Sequence, residues 1–304
     1  MSYTLKNLNL MKKTDKQIPV LLYYKYVNIS NPQKEVIIQR EFCEANNITG
    51  RILIGFEGIN GTIAGNKKNT DKYETWMQER GEFKDIEFKV SLGSEDTFSK
   101  LKIKFRPEIV TLGVEGLDPT VSGKRMSADE LHNILGEQKD DVVLVDMRND
   151  YESAIGKFEG ATLAPIHRFR ELPNVIGELS KYKNKKVITY CTGGIRCEKA
   201  SALLLKEGFT DVYQLDGGIF KYAEKYPDGY FEGKCFVFDK RMSVSFNQKK
   251  DAKILTNCKL CNKKSDNYID CANKTCHDLF ICCTDCASKY NDYCSEECRI
   301  KCQN

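Results

Sequence analysis

Lys186-Val187-Ile188-Thr189-Tyr190-Cys191-Thr192-Gly193-Gly194-Ile195-Arg196-Cys197-Glu198-Lys199-Ala200-Ser201 reads as a strand, a sharp turn and a helix in immediate succession. Val187 to Tyr190 is β-branched and apolar, the pattern of a short buried strand. It runs into Cys191, and Gly193-Gly194 then permits a sharp turn. Glu198 to Gly208 reads as a helix closed by glycine. A cysteine between a strand end and a helix start faces a ring of backbone N–H groups. Thr192, Gly193, Gly194, Ile195 and Cys197 supply that ring, which together with the helix dipole favours an anion. The thiol of Cys191 is therefore expected to be largely ionised near neutral pH, with Arg196 adding positive charge. Cys191 and Arg196 are the candidate catalytic pair. Cys197, on the first helical turn, is either a resolving thiol or a packed neighbour.

The flanking sequence extends this into a parallel α/β domain. Val142-Val143-Leu144-Val145-Asp146 has the continuous apolar character of a strand covered on both faces. Ser127 and Glu130 form a capping box for a helix before it. Val187 to Cys191 and Val212 to Leu215 are further strands, and Asp216-Gly217-Gly218 ends the last one beside the cysteine loop. Loops that bind ligands gather at the carboxyl ends of such strands, where Cys191 falls. Asp146 and Arg148 suit an ion pair tying strand to loop. His167 is expected to be an exposed loop histidine.

Cys191-x-x-x-x-Arg196 between strand and helix resembles the active-site loop of rhodanese domains, which carry sulfur as a persulfide. Asp146-x-Arg148 and Gly156-x-x-x-Gly160-Ala161 resemble the first half of such a domain. The string Tyr190 to Ser201 is more specific and is similar to the tRNA uridine(34) 5-hydroxylase family of rhodanese-domain proteins. Leu21 to Val27, Glu57-Gly58-Ile59-Asn60-Gly61-Thr62, Arg106 to Thr111 and Phe169 to Pro173 extend the resemblance over most of the chain. Ile166-His167-Arg168 departs from the family's pattern.

The chain has 304 residues, enough for about two domains and an appendage, and a net charge of +4, too mild to prove a nucleic-acid partner. Its longest early apolar run, Ile18 to Leu22, is far too short to span a bilayer. No signal peptide is visible, so a cytoplasmic location with reduced thiols is expected. Three units are expected: residues 1–115, 122–230 and 235–304, with residues 1–17 a frayed tail and 116–124 a linker.

In the first unit, Val20 to Val27, Gly50 to Phe56, Gly61 to Ala64, Ile86 to Val90 and Lys100 to Phe105 read as strands. Pro32 to Asn46, capped by Asn31, and Thr70 to Arg80 read as helices. Asn60-Gly61 marks a tight turn. The order βαββαβ implies a ferredoxin-like α+β domain. The resemblance implies an acylphosphatase-like domain, yet the segment lacks a basic phosphate cradle, so its expected role is to position substrate.

Ten of the fourteen cysteines lie between Cys258 and Cys302. In a reducing compartment that density points to metal rather than disulfides. Cys258-x-x-Cys261 and Cys283-x-x-Cys286 have zinc-ribbon spacing. Cys271, Cys276, Cys294 and Cys298 suit a second, cross-braced zinc site, with His277 a substitute ligand and Cys282 and Cys302 spare. Lys240 to Lys264 carries eight Lys or Arg against one acid, Asp251, and suits contact with an RNA backbone.

The family resemblance implies oxygen-dependent hydroxylation of the wobble uridine of tRNA at C5. The partner is then the tRNA anticodon loop, with no membrane or DNA partner, and molecular oxygen is the co-substrate. No iron triad or flavin motif is visible. Two other readings stay open: a sulfurtransferase passing a Cys191 persulfide to an acceptor, and a non-catalytic zinc-containing RNA-binding adaptor.

Overall fold

A computed structural model describes residues 17–137 and 140–303. All but Gln17 of the expected N-terminal tail lies outside the described residues. The first unit comprises β1 (Ile18–Tyr26), α1 (Pro32–Ala45), β2 (Thr49–Gly55), β3 (Gly58–Ala64), α2 (Lys67–Gln78), β4 (Phe88–Gly93) and β5 (Leu101–Phe105). Its sheet has the order β4-β1-β3-β2-β5, with β5 parallel to β2 and the other neighbours antiparallel. Alternation divides its two faces. Leu21, Tyr23, Ile52, Ile54, Ile59, Ile63 and Ile103 pack into one core with Cys43, Tyr73 and Met77 from the helices. Leu22, Tyr24, Arg51, Leu53, Asn60 and Thr62 alternate with them and occupy the face that the helices leave free.

The hairpin turn is not at Asn60-Gly61. Register pairs Gly55 with Gly58, so Phe56-Glu57 makes the turn and Asn60 lies within β3. Asn60 donates its side-chain N–H to the Ile109 carbonyl at 2.9 Å. Gly61 is required by packing, since a Cβ there would sit 2.3 Å from the Tyr23 hydroxyl. The second helix starts three residues earlier than expected because Asn66 caps it, accepting from Asn69 N–H at 2.9 Å.

After an irregular connection over 106–123, the second unit begins. It contains β6 (Lys124–Met126), α3 (Ala128–Glu137), β7 (Val142–Asp146), α4 (Asp150–Ile155), β8 (Gly156–Phe158), β9 (Thr162–Leu163), α5 (Leu172–Val175), β10 (Lys186–Tyr190), α6 (Ile195–Lys206), β11 (Asp211–Leu215) and α7 (Gly218–Lys225). Its sheet is wholly parallel in the order β6-β11-β10-β7-β9. Apolar clusters cover both faces, as the continuous hydrophobic run of β7 requires. The capping box forms: Ser127 N–H donates to Glu130 Oε2 at 2.8 Å.

The C-terminal part returns as β12 (Phe231–Gly233), paired with β8, and as the hairpin β13 (Cys235–Phe236) and β14 (Ser243–Val244). A second hairpin, β15 (Tyr268–Asp270) and β16 (Leu279–Ile281), precedes α8 (Thr284–Tyr290) and α9 (Glu296–Gln303). Cys258, Cys271, Cys282, Cys286 and Cys294 make up most of its small buried cluster, with Phe280. No helix among the described residues is long and apolar enough to cross a membrane.

Candidate active site

Cys191 follows the last residue of β10, at the carboxyl end of the parallel sheet. Gly194 adopts φ +104° and caps α6, so the helix starts at Ile195, three residues before the sequence pattern indicates. That early start turns the Gly194 N–H onto Cys191 Sγ at 3.1 Å. Below the loop, the Ile219 and Phe220 amides donate to the Cys191 and Thr192 carbonyls at 3.0 and 3.2 Å. Gly218 permits this, because a Cβ there would lie 2.5 Å from the Cys191 carbonyl oxygen. The Asp216-Gly217-Gly218 motif thus seats α7 directly under the cysteine loop.

Cys191 is 0% exposed. Burial opposes its ionisation, but a hydrogen bond from Cys197, the charge of Arg196 and the amides of Arg196 and Gly194 outweigh it. The thiol is pulled from 9.0 down to about 6. Cys197 moves the other way: burial and the neighbouring Cys191 thiolate push it well above its ordinary range. One proton is thereby shared unequally between two sulfurs, and Cys191 is the one that gives it up.

Arg196 does not project freely into the loop. It is buried and held in a fork by Glu152 of α4, with Nη1–Oε2 at 2.5 Å and Nη2–Oε1 at 2.8 Å. Its Nη2 also reaches Thr192 Oγ1 at 3.2 Å. Sequence reasoning missed Glu152, although its spacing from Asp146 and Arg148 on the same strand–helix turn was the available signal. Asp146 and Arg148 form the expected ion pair, Nη2–Oδ2 2.6 Å, both side chains fully buried. His167 is exposed and pairs with Asp150.

The free face of the N-terminal sheet lies on the loop. Leu22 packs against Gly193 and the Tyr24 hydroxyl against Gly194, where added Cβ atoms would sit 3.0 and 2.7 Å from them. Tyr24 donates to Glu198 Oε1 at 3.2 Å and Tyr26 to the Ile195 carbonyl at 3.3 Å. Lys199, 4% exposed, bridges Glu57 Oε2 at 2.9 Å and Glu108 Oε2 at 2.6 Å. Three segments singled out in the sequence, 57–62, 106–111 and 190–201, therefore meet in one interdomain tether. Glu57 also accepts from the Ile109 amide at 2.7 Å.

Beside this contact lies a cavity of about 420 Å³. Thr192, Gly193, Ile195 and Arg196 line it from the loop, Leu22, Leu53 and Val110 add apolar wall, and Arg51, Arg168 and Arg170 add cations. Phe238, from the C-terminal part, stands at the edge, 51% exposed and 6.0 Å from the Arg196 guanidinium. All parts of the chain contribute, so no single stretch of sequence displays this pocket. Its size falls in the roughly 300–1,000 Å³ range of small-ligand sites.

The cysteine-rich segment brings together the two expected tetrads: Cys258, Cys261, Cys283 and Cys286, and Cys271, Cys276, Cys294 and Cys298. Alternate pairs combine, which is a cross-brace. Within each group the sulfurs lie within 4.8 Å of one another, with Cys261–Cys283 at 3.6 Å, Cys271–Cys298 at 3.6 Å and Cys276–Cys294 at 3.7 Å. A tetrahedral ion with metal–sulfur bonds of about 2.3 Å needs sulfurs about 3.8 Å apart, so each group can hold one metal ion. His277 and Cys302 belong to neither group, nor does buried Cys282. Tyr268 of β15 donates to the Tyr151 carbonyl at 2.6 Å, which braces α4 and hence Glu152.

The basic segment is less available than its composition implies. Arg241, Lys253, Lys259 and Lys263 pair with Asp239, Glu232, Asp278 and Asp285.

Residues 18–109 match the UPF0176 acylphosphatase-like domain, 127–225 the rhodanese-like domain and 232–299 the rhodanese C-terminal domain. A tRNA uridine(34) hydroxylase of Chlamydia trachomatis is 40% identical over 93% of this chain and 87% of its own. A Bacillus licheniformis protein of the same name is 41% identical over 95% and 90%. A Cytophaga hutchinsonii protein, also so named, is 39% identical over 93% and 90%. With a buried loop cysteine of lowered pKa on a rhodanese-like sheet and near-complete coverage by such relatives, this chain belongs to the tRNA uridine(34) hydroxylase family.

Proposed function

We propose that this protein hydroxylates uridine 34 of tRNA at C5 with Cys191 as the reactive group and molecular oxygen as co-substrate, one oxygen atom entering the base and the other leaving as water with two electrons and two protons from a cellular reductant. The observation that carries the reading is a thiol whose pKa is lowered by Cys197, Arg196 and the loop amides, in a loop whose Thr192, Gly193, Ile195 and Arg196 line a ligand-sized cavity, in a chain about 40% identical to tRNA uridine(34) hydroxylases. A wobble base is unpaired, so it is everted into a pocket at small cost. Fixed N–H donors of the loop and the Arg196 guanidinium stabilise negative charge developing at the sulfur or at an oxygen adduct, and they need no reorganisation to do so. Glu152 keeps Arg196 in place for that task. Each cysteine tetrad holds a zinc ion with a structural role, because all four positions are filled by thiolates and none is left for substrate. The site acts in the cytoplasm, where tRNA and reduced thiols are found together.

Expression in a strain lacking its own uridine hydroxylases, grown under ¹⁸O₂, tests the reading. The expected product is 5-hydroxyuridine carrying one heavy oxygen. Label arriving only from water, or no 5-hydroxyuridine, refutes it. Sulfur transfer is the second reading, because the same amides suit a persulfide anion on Cys191; turnover of thiosulfate and cyanide without any change in tRNA nucleosides selects it instead.

A further inference from the structure

The sheet register of the N-terminal unit lays out two rows that run from the cysteine loop to the outer edge. One row is Lys89, Leu22, Thr62, Arg51, Lys102; the other is Tyr24, Asn60, Leu53, Lys104. The inner members of both rows pack against the loop or line the cavity. The outer members, Arg51, Lys102 and Lys104, are exposed and stand on the face opposite buried Ile103. None of the three has a carboxylate within ion-pair distance among the described residues, and the same holds for Arg168 and Arg170 across the cavity. Elsewhere in the chain both kinds of exposed cation occur: Lys67, Arg125, Lys225, Lys253 and Lys259 have acidic partners, whereas Lys68, Lys72, Lys84 and Lys250 have no ion-pair partner among the described residues. Five unpaired cations around one nucleotide-sized pocket form a concentrated positive surface.

From this geometry we infer that the outer edge of the N-terminal sheet, β2 and β5, is the track for the RNA backbone. Arg51, Lys102 and Lys104 bind phosphates on one side of the everted nucleotide, and Arg168 and Arg170 bind those on the other. Phe238 offers its exposed ring to a neighbouring unpaired base. Four-stranded sheets that bind RNA stack bases on aromatic residues of the open face. Here that use is closed, since Tyr24 and Tyr26 are committed to the loop, and cations at the edge replace it. The inference rests on the proposed tRNA reading and names the surface that reading requires. It places the main RNA contact on the first domain rather than on the 240–264 segment, where Arg241, Lys253, Lys259 and Lys263 are paired with acids.

The test is binding of full-length tRNA by the full chain, in a Cys191→Ser background that prevents turnover, across a salt series. The probe is a tRNA whose position 34 is an unmodified uridine. Arg51→Gln/Lys102→Gln/Lys104→Gln is expected to weaken binding at least tenfold. It should also make log K against log salt shallower by about 2, since each single-strand phosphate contact contributes about 0.7. Arg51→Lys/Lys102→Arg/Lys104→Arg keeps the charges and should keep the wild-type slope. Phe238→Ala is expected to cost about 5- to 100-fold in affinity with the slope unchanged, as lost base stacking does. An unaltered slope in the Gln triple variant, with an unchanged melting temperature, overturns the inference while leaving the proposed function intact. Competition by polyglutamate as effective as that of the tRNA assigns the surface to an acidic protein and also overturns it. Failure of every form to bind tRNA removes the proposed function as well.

Discussion

Replacing Cys197 by alanine removes the sulfur that donates a hydrogen bond to the Cys191 thiolate. Hydrogen bonds to charged groups contribute about 1.5–3 kcal/mol. At 1.36 kcal/mol per unit, that raises the Cys191 pKa by roughly one to two units, from about 6 to between 7 and 8. The thiolate fraction at pH 7 then falls from about 90% to between about 50% and 10%. The assay is the pH dependence of alkylation at the Cys191 peptide, resolved by mass spectrometry from the other thirteen cysteines. The midpoint of that profile reports the pKa whatever the absolute rate, so the enclosure of the thiol does not obscure it. Cys197→Ser retains a donor and should stay near the wild-type midpoint. A Cys197→Ala midpoint within about 0.3 units of wild type would refute the claim that this neighbour stabilises the thiolate.

Other consequences follow from the same contacts. The folded-state pKa of Cys191 lies below its ordinary 9.0, so its contribution to stability is complete above pH 9 and is lost as pH falls towards 6. The difference is at most about 4 kcal/mol, and melting curves of wild type should lose this pH dependence, across that window, in Cys191→Ser. Lys199→Met leaves Glu57 and Glu108 facing one another without a cation; because both are partly exposed, a loss of about 1–3 kcal/mol is expected, and Cys191 should alkylate faster as the first domain loosens from the loop. An unchanged alkylation rate would mean that the tether does not govern access. Metal analysis should find two zinc ions per chain, and chelation should unfold the cysteine-rich segment and lower the melting temperature, since so small a core draws its folding energy from the metal. Retention of structure in metal-free, reduced protein would contradict this.

The loop geometry around Cys191 was legible because it is local: strand, turn and helix start lie within twenty residues, and their backbone amides need no distant partner. The same holds for the two cysteine tetrads, where spacing along the chain encodes the cross-brace. Turn chemistry misled where packing dominated. Asn60-Gly61 has the composition of a tight turn, but Gly61 serves the ring of Tyr23, and Asn60 ties β3 to the connection at Ile109. Glu57, Glu108 and Lys199 were visible as fragments of motifs, not as one ion cluster, because 91 residues separate Glu108 from Lys199 and Glu57 lies farther still along the chain. The cavity was invisible, since each part of the chain supplies only a few of its residues. Composition shows that 240–264 is rich in Lys and Arg, but not that Arg241, Lys253, Lys259 and Lys263 have acidic partners.

The central claim is that one ionised sulfur performs the modification. The most direct test analyses tRNA nucleosides by mass spectrometry from a deletion strain complemented with wild type or with a Cys191→Ser form of equal abundance and melting temperature. The account predicts 5-hydroxyuridine with wild type and none with Cys191→Ser. Normal levels from Cys191→Ser would contradict it and leave the loop as a structural anion site.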